Sequence, residues 1–362
     1  MTGDCIGGVW NYSLDLAASL APFGVEVIFA VMGSRPSAQQ RRAAAEISNL
    51  TTLESDFKLE WMDSPWADVN AAGDWLLSLA CTFVPDLVHL NGFAHASLPW
   101  DFPVMVVAHS CVRSWWAAVK GEPVSSSFDE YTKRVSRGLR QANLVVAPTH
   151  AMLAAIDDQY SPVGPSKVIP NGCVRLYRCP SKKKDFILTA GRLWDEAKNV
   201  RLLAKIAPKL DWPVYAAGNS CGPSGAGVQF ENLRSLGSLS DEQLAAILAT
   251  APIYASPALY EPFGLTVLEA ALSGCALVLN DIPSFRENWS GAALLIPAED
   301  LSTWQDVLQE LIHREELRND LAQQSRDRAE QLQPEKVGER YFKAYCELLN
   351  TYEHSEPEVV TR

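Results

Sequence analysis

The sequence predicts an α/β protein of two doubly wound, Rossmann-like domains. Short apolar runs bounded by turn residues alternate with helical spacing along nearly the whole chain, and the rhythm stops once near residue 170 and then restarts. A length of 362 residues also suits two domains better than one, a usual domain having about 150.

In the first half, Val25–Val31, Leu87–Leu90, Val104–Ala108 and Leu144–Ala147 read as buried parallel strands. Asn11–Leu20, Val69–Thr82 and Phe128–Gln141 carry helical spacing between them. The break falls at Ile169-Pro170-Asn171-Gly172 and the polar stretch Pro180–Asp185. A second strand set follows at Phe186–Ala190, Val214–Ala217, Ile253–Ala255 and Ala276–Leu279. Ser240–Gln243 and Ser302–Gln305 each fit a capping box at a helix start. The expected domains are therefore 1–174 and 175–334, with a last amphipathic helix at 335–352 and a frayed tail at 353–362. The apolar spacing of Val337, Tyr341, Tyr345 and Leu348 marks the packed face of that helix.

The 43 Asp+Glu outnumber the 31 Lys+Arg, for a net charge of −12. Such a chain is no general nucleic-acid binder, and an anionic ligand needs a local positive site. The eight cysteines show no CxxC pair and no metal spacing, and read as reduced, mostly buried thiols. No apolar run of about 18 residues and no signal-peptide order is present, so the expected location is the cytoplasm.

Ligands of open α/β sheets bind where strands end, and two motifs stand there. Gly191-Arg192-Leu193-Trp194-Asp195-Glu196-Ala197-Lys198-Asn199 sets two cations six residues apart, after the first strand of the second half. Arg offers a planar fork and Lys a point charge, both suited to a diphosphate; exposed surface charges are the plain alternative. Tyr260-Glu261-Pro262-Phe263-Gly264-Leu265-Thr266-Val267-Leu268-Glu269 opens a helix and spaces two carboxylates eight apart. Helix N–H groups would meet phosphate there, and the carboxylates would accept from sugar hydroxyls. The alternative has Glu261 complementing a helix terminus and Glu269 solvated.

These two blocks resemble the retaining, nucleotide-sugar-dependent glycosyltransferases of family 4, which have the GT-B fold. The resemblance extends in order through Gly7-Gly8-Val9-Trp10, Pro85-Asp86-Leu87-Val88-His89, Ala108-His109-Ser110, Ala147-Pro148-Thr149, Ile169-Pro170-Asn171-Gly172 and Leu236-Gly237-Ser238-Leu239-Ser240. It implies two Rossmann-like domains facing across a cleft, a carboxy-terminal helix packing back, and closure about a linker from Pro170 to Cys179. By resemblance, Arg192 and Lys198 hold the donor diphosphate, Glu261 contacts the transferred sugar and Glu269 the ribose. Backbone at Phe263, Gly264 and Leu265 meets sugar and phosphate, Leu239 lies near the nucleobase, and the Gly7-Gly8 loop closes on the donor. His109 matches the family's active-site histidine, whereas His89, inside a strand, reads as core or supporting residue.

The implied reaction moves a sugar from a nucleotide-diphosphate sugar to an acceptor hydroxyl with retention. It uses no cofactor and no metal, fixed cations taking that role, in keeping with the lack of an Asp-x-Asp triplet. Two features depart from the family. Met1–Asp4 supplies only the end of the usual first strand, so that strand is expected to be truncated or its place taken by another segment. Cys173 and Val174 stand after Gly172, where the family tends to have Asp.

Seven of the eleven tryptophans fall in the first 116 residues. Trp61, Trp66, Trp115 and Trp116 are candidates to stack on an acceptor, with buried core as the alternative. The acceptor is unassigned: a glycan, a lipid-linked sugar or a small molecule. Lys133, Arg134, Arg137 and Arg140 form a basic helical face, suited at most to peripheral membrane contact and otherwise solvated. Two other functions compete, a catalytically inactive sugar-nucleotide sensor or partner subunit, and a GT-B epimerase or phosphorylase.

Overall fold

The computed structural model describes residues 1–173, 182–222, 225 and 227–353. One compact unit comprises Met1–Ser114, Glu122–Val174 and Pro334–Arg362; the other comprises Trp115–Gly121 and Arg175–Gln333. The 174–179 part of the expected hinge and the expected tail after Glu353 lie outside the described residues.

In the first unit, β1 (Thr2–Asp4), β2 (Val27–Met32) and β3 (Leu50–Glu54) pair in parallel, in the order 1-2-3. A second parallel sheet runs β4 (Val88–Leu90), β5 (Val104–Val107), β6 (Leu144–Ala147) and β7 (Ser166–Val168). β1 lies beside β4, where the Asn91 backbone N–H donates to Thr2 Oγ1 at 3.0 Å. The spatial order is thus 3-2-1-4-5-6-7, with its reversal between β1 and β4. β5 and β6 are buried residue by residue, as strands covered on both faces must be.

The first strand is short, three residues, yet Thr2–Asp4 itself takes the central place; among the described residues no other segment fills it. The helix Pro334–Glu353 belongs to this unit and packs on the helix Gly8–Leu20. Val337, Tyr341, Tyr345 and Leu348 bury against Tyr12, Leu16 and Leu20, as their spacing predicts. Each such burial contributes about 1.5–3 kcal/mol before the cost of ordering the chain. The two helices approach closely because Gly338 has no Cβ: one there would sit 2.5 Å from the Ser19 carbonyl oxygen.

The second unit holds one parallel sheet of β8 (Ile187–Ala190), β9 (Val214–Ala217), β10 (Arg234–Gly237), β11 (Ile253–Ser256), β12 (Ala276–Asn280) and β13 (Leu294–Ile296). Its order is 10-9-8-11-12-13, reversing between β8 and β11. Ile253, Ala255 and Val278 pack with Trp304, Leu308 and Leu311 of the helix Leu301–His313 in its core.

The Ser240 capping box is present, Ser240 and Gln243 bonding each other's backbone N–H. The one expected at Ser302 is not. Asp300 caps that helix instead, its carboxylate accepting from the Thr303 N–H at 3.1 Å and from the Ser302 hydroxyl at 2.8 Å. A charged acceptor two residues upstream outcompetes the serine hydroxyl. The seven described cysteines are all free, but only Cys111, Cys173 and Cys275 are buried, so the expectation of mostly buried thiols does not hold; Cys179 lies outside the described residues.

Candidate functional site

In the second unit, the loops leaving β8 and β11 meet where the strand order reverses, the place at which open α/β sheets take ligands. They are laced by backbone and side-chain bonds: the Leu259 N–H donates to the Ala197 carbonyl at 2.7 Å, and Asn199 Nδ2 to the Pro257 carbonyl at 3.2 Å. Arg192, Lys198 and Glu261 stand on these two loops.

Arg192 is held from one side. Its Nη2 donates to Asp195 Oδ2 at 2.9 Å, its Nε has no acceptor among the described residues, and 43% of its side chain stays exposed. Asp195 itself is buried. Its Oδ1 accepts from Trp115 Nε1 at 3.1 Å and from the Ala197 N–H at 3.0 Å, capping the short 3-10 turn Glu196–Lys198. Burial pulls the Asp195 carboxyl upward, but the Arg192 charge, the Ala197 N–H and the Trp115 indole together hold it below the usual range.

Lys198 Nζ forms an ion pair with Glu261 Oε2, so these two sequence candidates meet directly. Both are largely shielded from water, where such a pair feels more of its Coulomb attraction than a surface pair does. The Glu261 carbonyl accepts from the Ser284 hydroxyl, which pins the loop. Phe263 is buried, and Gly264 precedes the helix Leu265–Leu272 at φ +89°, a left-handed conformation that suits glycine. Glu269, on that helix, is only 6% exposed, which removes its solvated reading. Leu239 is half-buried after β10, just ahead of the Ser240 cap.

In the first unit, the candidates also gather at carboxyl ends of strands. Gly7 and Gly8 follow β1 and open the helix Gly8–Leu20, both exposed, with Gly7 at φ +88°. His109 follows β5 half-buried; its Nε2 lies 2.9 Å from Asn91 Oδ1, and the Tyr12 ring meets its ring edge-on at 4.4 Å. Burial lowers the His109 imidazole to about 3, so the ring is neutral at pH 7. His89 is buried in β4, in keeping with its core reading, and its Nδ1 is 2.7 Å from the Tyr345 hydroxyl.

Trp61 is exposed on the loop after β3, and Trp66 starts the helix Trp66–Phe83 beneath the Arg134 guanidinium, 4.6 Å away. Glu60 ties that loop down, accepting from the Ala94 N–H at 2.7 Å. Trp115 and Trp116 stack edge-on at 6.0 Å; Trp115 belongs to the second unit, outside the 1–174 domain in which the sequence put it, and bonds the carboxylate that holds Arg192. Lys133, Arg137 and Arg140 are exposed, while Arg134 pairs with Glu130 at 2.8 Å.

Sequence reasoning assigned no role to Asp195 or Asn91. A signal for Asp195 existed: an Asp two residues before Ala197 is a capping residue. Asn91 had none: apart from His89, its partners Thr2, Ser13 and His109 lie 89, 78 and 18 residues away in the chain. Among the described residues no three His, Cys, Asp or Glu side chains cluster as a metal site, and no helix is long and apolar enough to cross a membrane.

The family model described as Glycosyltransferase Family 4 matches residues 6–174, and that described as Glycosyl transferases group 1 matches residues 180–328. With both halves matched in order, the chain belongs to the group 1 glycosyltransferases of family 4. It is 33% identical over 98 residues to a phosphatidyl-myo-inositol mannosyltransferase of Mycobacterium leprae (strain TN), a match that spans 26% of either chain. The fold is that of sucrose-phosphate synthase from Thermosynechococcus elongatus, with a TM-score of 0.78 at 16% identity, covering 97% of this chain and 99% of that one. Anabaena Alr3699/HepE, solved in complex with UDP-glucose, gives a TM-score of 0.75 at 15% identity over 96% and 99% of the chains. The architecture is accordingly GT-B, two Rossmann-like halves and a carboxy-terminal helix.

Proposed function

We propose that this chain transfers a sugar from a nucleotide-diphosphate sugar to an acceptor hydroxyl, with retention at the anomeric carbon and without a resident metal or other cofactor. The observation that carries the reading is the Lys198–Glu261 ion pair between the two loops at the strand reversal of the second unit, with Arg192 on the first of those loops. A leaving diphosphate gains two negative charges' worth of stabilisation from Arg192 and Lys198, in a protein whose net charge is otherwise strongly negative. When phosphate takes the Lys198 ammonium, Glu261 is released to accept from a sugar hydroxyl, and Glu269 serves the ribose. His109, neutral, meets a substrate hydroxyl. The acceptor hydroxyl enters on the face the diphosphate leaves, which preserves the anomeric configuration.

Incubating the protein with a UDP-, GDP- and ADP-sugar panel that includes UDP-glucose and GDP-mannose, and following nucleoside diphosphate release, tests this reading. Release from one of them is expected. No release and no binding across the panel refutes it, while binding with no release either to water or to any added glycan, lipid-linked or small-molecule acceptor supports the sensor reading instead.

A further inference from the structure

Asn91 stands at the strand reversal of the first unit, just after β4, and its amide can point only one way. Its Nδ2 donates to the Thr2 carbonyl at 2.7 Å and to Ser13 Oγ at 3.2 Å. Turning the amide over would press Oδ1 against a carbonyl oxygen, two acceptors with no proton between them. Oδ1 therefore faces two imidazoles, with His109 Nε2 at 2.9 Å and His89 Nε2 at 3.2 Å.

An amide oxygen only accepts, so each ring must carry its proton on Nε2. The surroundings of His89 fit this tautomer: its Nδ1 is left with a lone pair to which the Tyr345 hydroxyl, 2.7 Å away, can donate, and its Nε2–H also faces the Tyr12 hydroxyl oxygen at 3.4 Å. On His109 the same tautomer leaves Nδ1 as a lone pair with no bonding partner among the described residues. Tyr12 packs edge-on against that ring and limits its rotation.

We propose that Asn91 is a positioning residue that fixes His109 as the Nε2–H tautomer and leaves Nδ1 as a hydrogen-bond acceptor for a substrate hydroxyl. The functional half of this inference rests on the assignment of His109 to the substrate site; the tautomer does not. An acceptor nitrogen there favours a hydroxyl and disfavours a phosphate or ether oxygen, which would leave both lone pairs facing each other. Tyr345, on the helix Pro334–Glu353, is linked by hydrogen bonds to His109 through His89 and Asn91.

The test uses the full chain labelled with 15N-histidine, long-range 1H–15N spectra at pH 7, and signals assigned by His109→Gln and His89→Gln. Both histidines are expected to show the neutral Nε2–H pattern, and Asn91→Leu to turn that of His109 into a tautomer mixture. A wild-type His109 that is protonated or Nδ1–H overturns the proposal even if Asn91→Leu does not fold. So does a folded Asn91→Leu with the His109 pattern unchanged. With the nucleotide sugar that the wild type turns over, Asn91→Leu is expected to lower kcat/KM by about tenfold or more, the effect of one misdirected hydrogen bond. An unchanged kcat/KM refutes the positioning role and spares the donor reading, whereas absence of wild-type turnover refutes the donor reading and leaves the spectra to decide the tautomer.

Discussion

Replacing Asp195 with alanine removes three hydrogen bonds from one buried carboxylate, and each has a separable cost. Loss of the cap over the Glu196–Lys198 turn costs about 1 kcal/mol. The Trp115 indole N–H loses its acceptor, at about 1–3 kcal/mol if it stays shielded from water. The Arg192 pair adds less than about 1 kcal/mol, because 43% of that side chain is exposed and water screens the pair. Asp195→Ala should therefore lose about 2–4 kcal/mol of stability. Asp195→Asn, whose amide oxygen still accepts from Ala197 and Trp115 but whose NH2 opposes Arg192, should lose about half of that. Urea unfolding followed by tryptophan fluorescence measures both. Because the chain has two compact units, the transition assigned to the second must be identified by its shift with Trp115→Phe. If Asp195→Ala unfolds within about 0.5 kcal/mol of the wild type, the reasoning that Asp195 organises the Arg192 loop is wrong.

Lys198→Ala and Glu261→Ala should each lower turnover of the preferred nucleotide sugar about a hundredfold or more if they act on transition-state charge; a loss below about threefold in steady-state rate excludes that role. Gly338→Ala should destabilise the first unit by about 1–3 kcal/mol, because the new Cβ meets the Ser19 carbonyl at 2.5 Å; a thermal melt unchanged from wild type would show that the helices can part without cost. Acid should also destabilise that unit. Burial, with the Met1 ammonium and then His109 contributing, lowers His89 from 6.5 to about 3 in the fold, so the unfolded chain binds the proton more readily and stability falls as pH drops from 6.5 towards 3. Its full contribution is present above pH 6.5, and the slope below is about 1.4 kcal/mol per pH unit for this one group. Of the groups facing it, Tyr12, Tyr341 and Tyr345 have their pKa values raised by burial and do not titrate in that window, whereas His109, lowered by burial to about 3, and the Met1 ammonium, lowered by burial to about 5, add slope of the same sign, so His89 carries only its share. His89→Gln should flatten the pH dependence of the melting temperature between pH 6.5 and 4, and an equally steep profile would contradict the assignment.

The core of each half was legible because it is written locally. Buried parallel strands such as Val104–Val107 and Ile253–Ser256 are continuous apolar runs, and Val337, Tyr341 and Tyr345 keep helical period. The outer strands were not: Leu50–Glu54 and Arg234–Gly237 are half-exposed and carry Thr51, Thr52, Arg234 and Ser235, so they have no apolar signature. At the site, the motifs after β8 and β11 were readable, and with them the loops on which Arg192, Lys198 and Glu261 stand. The residues that hold them were not, because Trp115 meets Asp195 across 80 positions and Tyr345 meets His89 across 256, and neither distance leaves a periodic trace in the chain.

Calorimetric titration of the nucleoside diphosphate released by the preferred donor, into the wild type and into Lys198→Ala and Arg192→Ala, tests the central claim most directly. The account predicts one site in the wild type and affinity at least about tenfold weaker in each variant, the loss of one charge-assisted contact to phosphate. Equal affinity in all three proteins would contradict it.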